Sequence, residues 1–149
     1  MKTLIIHKAK QGHGKTSSLN NLIKELCCNH NLKIIYPEEL AEINSFVIGK
    51  YKDKTIGIIT FGDPGCENAL QRCLDQCIQE QCDVIISASR TKWGVYDKLN
   101  TFAKEHGYNT IETAPIFIAN WNHQYPIDKI IHESNCLMTS TLKSLIDTI

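Results

Sequence analysis

The residues best suited to chemistry lie in one short stretch, Ala9-Lys10-Gln11-Gly12-His13-Gly14-Lys15-Thr16. Their types fit the binding of phosphate. Glycines let backbone N–H groups turn onto phosphate oxygens with no Cβ in the way. Lys15 supplies a mobile point charge for the same oxygens. The Thr16 hydroxyl beside it is placed to ligate Mg²⁺. An apolar run, Leu4-Ile5-Ile6, precedes the stretch, and a helical pattern opens at Thr16-Ser17-Ser18-Leu19. The N-terminus of that helix adds a positive dipole end. A chance Gly-Lys-Thr in a surface turn is the alternative, and the strand before and helix after argue against it.

This segment resembles the Walker A motif of the P-loop nucleoside triphosphatases, with Ala9 where the strict pattern has glycine. The resemblance implies a nucleotide held by Ala9, Gln11, Gly12, His13, Gly14, Lys15, Thr16 and Ser17, with Lys15 on the β- and γ-phosphates. A second segment, Thr60-Phe61-Gly62-Asp63-Pro64-Gly65, ends an almost continuous apolar strand. An acidic residue there resembles the Walker B carboxylate, which implies that Asp63 and Thr16 hold Mg²⁺. Asp63-Pro64-Gly65 also resembles the switch-type loops of GTPases and of related dimeric ATPases. The plainer reading is a good turn and helix entry.

Arginine occurs at Arg72 and Arg90 alone. Arg72 falls mid-helix on a face expected to meet solvent. Arg90 follows the strand Val84-Ile85-Ile86, and in a parallel sheet the loops at the carboxyl ends of strands gather where ligands bind. That makes Arg90 the candidate stabiliser of charge on a transferring phosphoryl group, with Lys92 nearby. A salt bridge beside a helix start is its other reading. Ser87 and Ser89 either contact phosphate or cap the next helix. Asn120-Trp121-Asn122-His123 also follows a strand and is placed to line a base pocket. Trp121 there is either a packing residue or a base stacker.

The elements that must position these residues read β-α-β, a hairpin, then α-β-α-β-α. Strands are expected at Thr3 to Lys8, Leu32 to Tyr36, Asp83 to Ala88 and Asn109 to Glu112. Ala114-Pro115 then separates the last of these from the apolar Ile116-Phe117-Ile118. The hairpin arms are Ser45 to Tyr51 and Lys54 to Thr60 around Lys52-Asp53. Helices are expected from about Gly14 to Cys28, Cys66 to Gln81, Tyr96 to His106 and Ile127 to Ile149, with Gly107 as a C-cap and a short turn over Glu38 to Asn44. The pattern predicts a three-layer, doubly wound α/β domain over 1–149. Its sheet has five or six mostly parallel strands and one antiparallel hairpin strand, as in P-loop proteins.

Composition removes other classes. Lys+Arg and Asp+Glu both number 16 in 149 residues, so no general nucleic-acid footprint is expected. No apolar stretch suits a membrane span, and the N-terminus carries no signal-peptide pattern. Seven cysteines in such a chain read as reduced, cytoplasmic thiols. Cys66, Cys73 and Cys77 share one helix face without a metal knuckle, so packing is preferred to zinc.

Three functions compete. An ATP hydrolase or switch ATPase is favoured. ATP is preferred to GTP because the chain has no Asn-Lys-x-Asp guanine-reading motif. A small-molecule or nucleotide kinase would use Asp63 to orient or deprotonate an acceptor hydroxyl, although an arginine-rich lid is missing. A non-catalytic nucleotide-binding module, presenting a surface to a protein partner or a second copy, is the third.

Overall fold

The computed structural model describes residues 1–10, 14–39, 41, 45–118 and 125–149. Its elements, in chain order, are β1 (Thr3–Lys8), α1 (Lys15–Asn29), β2 (Lys33–Tyr36), β3 (Phe46–Tyr51), β4 (Lys54–Ile59), α2 (Glu67–Gln79), β5 (Val84–Ser89), α3 (Gly94–His106), β6 (Asn109–Thr113) and α4 (Asp128–Thr148). The strands form one six-stranded sheet in the order β2-β3-β4-β5-β1-β6. Only β3 runs against the others. It pairs antiparallel with both β2 and β4, whereas β4/β5, β5/β1 and β1/β6 are parallel.

Continuous apolar runs make the central strands, because both faces of the sheet are covered. In β1, Ile5 joins a core with Leu19, Leu22 and Leu26 of α1 and Leu142 and Ile146 of α4. Leu4 and Ile6 point the other way, into a core with Leu70 and Leu74 of α2 and Leu99 and Phe102 of α3. Leu4, Ile5 and Ile6 are fully buried, and each such side chain contributes about 1.5–3 kcal/mol over exposure. That outweighs any surface ion pair, so packing fixes where β1 ends. The carboxylate of Asp147 ties the far end of α4 to the hairpin, accepting from Tyr51 Oη at 2.6 Å and from Lys52 Nζ and Lys143 Nζ at 2.8 and 2.7 Å.

The hairpin turns at Lys52-Asp53, with Tyr51 opposite Lys54, and Gly107 closes α3 with a left-handed φ of 72°. Ile116, Phe117 and Ile118 form no strand, and Ile116 and Phe117 stay about 43% exposed. Of the turn expected over Glu38 to Asn44, Glu38 and Glu39 form a bend, and Leu40 and residues 42–44 lie outside the described residues. Among the described residues no helix is long and apolar enough to cross a membrane.

The winding decides where a ligand can sit. From β1 the chain leaves to α1 on one face, and from neighbouring β5 it leaves to α3 on the other. Adjacent strands whose connections diverge open a crevice at their carboxyl ends. The loops after β1, β4 and β5 all reach that edge.

Candidate functional site

At this crevice α1 begins. Its N-cap is Gly14, left-handed at φ 84°, ψ 15°, a conformation that costs glycine little. Among the described residues no side chain caps the helix, and its first turn carries no acid to offset the positive end of the dipole. Ser18 instead bonds back to the Gly14 carbonyl through its amide (2.9 Å) and its hydroxyl (2.8 Å). Lys15 is 5% exposed. Its Nζ lies 3.3 Å from Asp63 Oδ1.

Asp63 arrives from the end of β4. Its neighbour Gly62 is pressed against β5: a Cβ there would lie 2.3 Å from the Ala88 carbonyl oxygen and 2.6 Å from Ser89 N. The same Asp63 Oδ1 accepts from Arg90 Nε at 3.1 Å. Two cations from different elements therefore share one carboxylate oxygen. Partial burial alone would raise the Asp63 carboxyl. The Arg90 hydrogen bond and the Lys15 charge outweigh it and hold the pKa below the usual carboxylate range. The backbone around Asp63 is also a turn, with Cys66 N donating to the Asp63 carbonyl at 3.3 Å. The turn and the charged site are the same residues.

Thr16 Oγ1 donates to the Thr60 carbonyl at 2.9 Å. That bond clasps the start of α1 to the end of β4. Ser17 is exposed on the same turn, and Ala9 N donates to the Ser89 carbonyl at 3.0 Å, extending the β1/β5 pairing. The structure thus brings Ala9, Gly14, Lys15, Thr16, Ser17, Asp63 and Arg90 to one edge. Gln11, Gly12, His13 and the whole of Asn120 to His123, including Trp121, lie outside the described residues.

Some expectations change. Ser87 and Ser89 cap no helix. Both are fully buried and donate to the adjacent Ala88 and Arg90 carbonyls at 3.1 and 2.8 Å. The N-cap of α3 is Trp93, which takes φ 54° and remains 74% exposed, with Lys92 Nζ 5.4 Å from its ring centroid. As expected, the cysteines of the α2 helix face pack against the second core: Cys77 is fully buried, and Cys66 and Cys73 are partly so. All seven cysteines of the chain are free thiols.

Sequence reasoning missed His7. It is fully buried at the carboxyl end of β1, with Nδ1 2.8 Å from Thr113 Oγ1 and no partner for Nε2 among the described residues. Burial first, and the nearby Lys15 charge second, push its pKa down to about 4, so the ring is neutral at pH 7. A histidine closing an apolar strand was the available signal. Also missed was a flanking cluster in which Glu112 accepts from Tyr96 Oη and pairs with Lys8 Nζ at 2.7 Å. Glu67, in the first turn of α2, packs against Gly94 at the start of α3. Comparison with models of known families, with curated proteins and with solved structures gives no significant match to this chain.

Proposed function

We propose that the chain is a P-loop ATP-binding protein that hydrolyses ATP with Mg²⁺. The observation that carries this reading is the meeting of Lys15 and Arg90 on one oxygen of Asp63, at a helix N-terminus in a switch-point crevice. Magnitudes favour phosphate as the partner of Lys15. Asp63 is 55% exposed, and an ion pair in that setting contributes about 0–1 kcal/mol. Charge-assisted hydrogen bonds to an anion held in the crevice contribute about 1.5–3 kcal/mol each. A triphosphate therefore outcompetes the carboxylate for Lys15, while Arg90 stays beside Asp63 until charge develops on the transferring group.

In this reading the α1 N-terminus and Lys15 bind the β- and γ-phosphates. Arg90, anchored beside them, stabilises charge that develops on the transferring group. The donor set fits Mg²⁺. Asp63 accepts from Lys15 and Arg90 through Oδ1 alone, and the Thr16 hydroxyl keeps its lone pairs while donating. One carboxylate and one hydroxyl, completed by water and phosphate oxygens, is the usual Mg²⁺ arrangement, not an all-protein cage. The ion, when bound, neutralises charge on the phosphates. The missing Asn-Lys-x-Asp motif supports ATP over GTP. Seven free thiols suit a reducing, cytoplasmic compartment.

A phosphorus NMR time course with ATP or GTP, Mg²⁺ and purified protein tests the proposal. Orthophosphate appearing without an acceptor supports it and identifies the base. A phosphoester signal that needs an added alcohol or nucleoside makes the chain a kinase. Tight nucleotide binding with no turnover makes it a binding module.

A further inference from the structure

On the α2 face of the sheet, at the same carboxyl edge, a cavity of about 620 Å³ opens between β2, the start of β3, the Phe61 loop and α2. We propose that this cavity is a second binding site, for a planar aromatic carboxylate. Its walls are flat and apolar. Tyr36 and Phe46 lie with ring centroids 5.3 Å apart at 49°, Phe61 and Pro37 add to the apolar lining, and Ser45 and Gln76 are its neutral polar members. Cys73 adds a neutral wall, because burial pushes its thiol up to about 11. The size falls within the range of small-molecule sites, about 300–1,000 Å³.

The polar groups select the ligand. Arg72 reaches the cavity from the exposed side of α2, and among the described residues it has no ion-pair partner. A guanidinium fork grips a carboxylate through two parallel hydrogen bonds. Glu39 stands on the same rim, and its charge opposes dianions and polyphosphates. Among the described residues, an arginine fork without an ion-pair partner, one repelling carboxylate and aromatic walls describe a site for a ring bearing a single carboxylate, distinct from the triphosphate crevice. The inference goes beyond the ATP reading and does not depend on it.

Calorimetry on the full chain tests it with three probes: naphthalenecarboxylate, the uncharged naphthalenecarboxamide and naphthyl phosphate. The carboxylate should bind saturably and at least about tenfold more tightly than the amide, the expected effect of one charge-assisted hydrogen bond. Arg72→Gln, at an exposed helix position, should remove that difference and leave amide binding and the circular dichroism spectrum unchanged. Lys15→Met should leave carboxylate binding intact, which separates this site from the ATP crevice. Absence of saturable carboxylate binding, equal affinity for carboxylate and amide, or indifference to Arg72→Gln would overturn the proposal. So would tightest binding of naphthyl phosphate, which would assign the cavity to phosphate esters.

Discussion

Replacing Lys15 by methionine separates binding from folding better than any other change at this site. The lysine side chain is 6% exposed and its ammonium sits 3.3 Å from Asp63. Methionine has similar length and suits a buried, apolar surrounding. Loss of the ammonium leaves Asp63 paired with Arg90 and half in water, so folding stability should change by less than about 1 kcal/mol. Binding should change far more. Two charge-assisted contacts to the β- and γ-phosphates are worth about 3–6 kcal/mol together. The wild-type protein first gives up its Asp63 pair, at about 0–1 kcal/mol. The net loss is about 2–6 kcal/mol, or roughly 30-fold to 20,000-fold in Kd. ADP, which lacks the γ-phosphate, should lose about half as much free energy. Calorimetric titration of both nucleotides into both proteins, with urea melts as the folding control, supplies the numbers. A folded Lys15→Met variant that binds ATP within about threefold of wild type would refute the phosphate role of Lys15 and the P-loop reading with it.

Arg90→Ala should spare ATP affinity and slow turnover by about a hundredfold or more, as loss of a preorganised donor does; an equal loss of ATP and ADP affinity would make Arg90 a ground-state clamp. Gly62→Ala places a methyl 2.3 Å from the Ala88 carbonyl oxygen, which is backbone and cannot step aside. Urea denaturation should show a loss of about 1–3 kcal/mol together with weakened ATP binding, and an unchanged variant would mean the loop moves freely. His7 links stability to pH. Its folded pKa of about 4 lies below the ordinary 6.5, so the unfolded chain takes up the proton first. Its contribution is present above pH 6.5 and is lost as pH falls toward 4, up to about 3 kcal/mol. Urea melts of His7→Leu across that window should be flatter than wild type by that amount, and parallel curves would contradict the burial argument.

Local pattern carried much of the fold. β1 runs Thr3–Lys8 as its apolar run implies, because a strand covered on both faces needs no alternation. The Lys52-Asp53 hairpin and the Gly107 cap are likewise short-range effects. Where reach is longer, the pattern fails. The α2 helix stops at Gln79, since Gln81 turns left-handed at φ 56° and Cys82 N bonds back to Cys77 O at 2.9 Å. The α3 helix starts at Gly94 with a tryptophan N-cap, although serine and threonine upstream are the better intrinsic caps. Ile116-Phe117-Ile118 stays outside the sheet, where composition alone favours a strand. At the site, the residue types at positions 14, 15, 16, 63 and 90 were legible. The sharing of one Asp63 oxygen was not, because it depends on which strand lies between which, and neither was the buried state of His7.

That strand order explains the one glycine that joins fold to site. Lys15 follows β1 and Asp63 follows β4, but β5 lies between those strands. Neighbouring strands stand about 4.8 Å apart, so the two residues start roughly 10 Å from one another and must meet across the end of β5. Lys15 covers part of the gap with its long side chain. Aspartate is short, so the backbone before it has to come close. Gly62 does so, passing so near Ala88 and Ser89 that no Cβ fits. Arg90, the first residue beyond β5, then reaches the same Asp63 oxygen at 3.1 Å. Phe61-Gly62-Asp63 is therefore more than a turn with an acid in it. Its glycine lets a carboxylate from β4 reach a lysine from β1, and the strand it crosses supplies the arginine that completes the charged site.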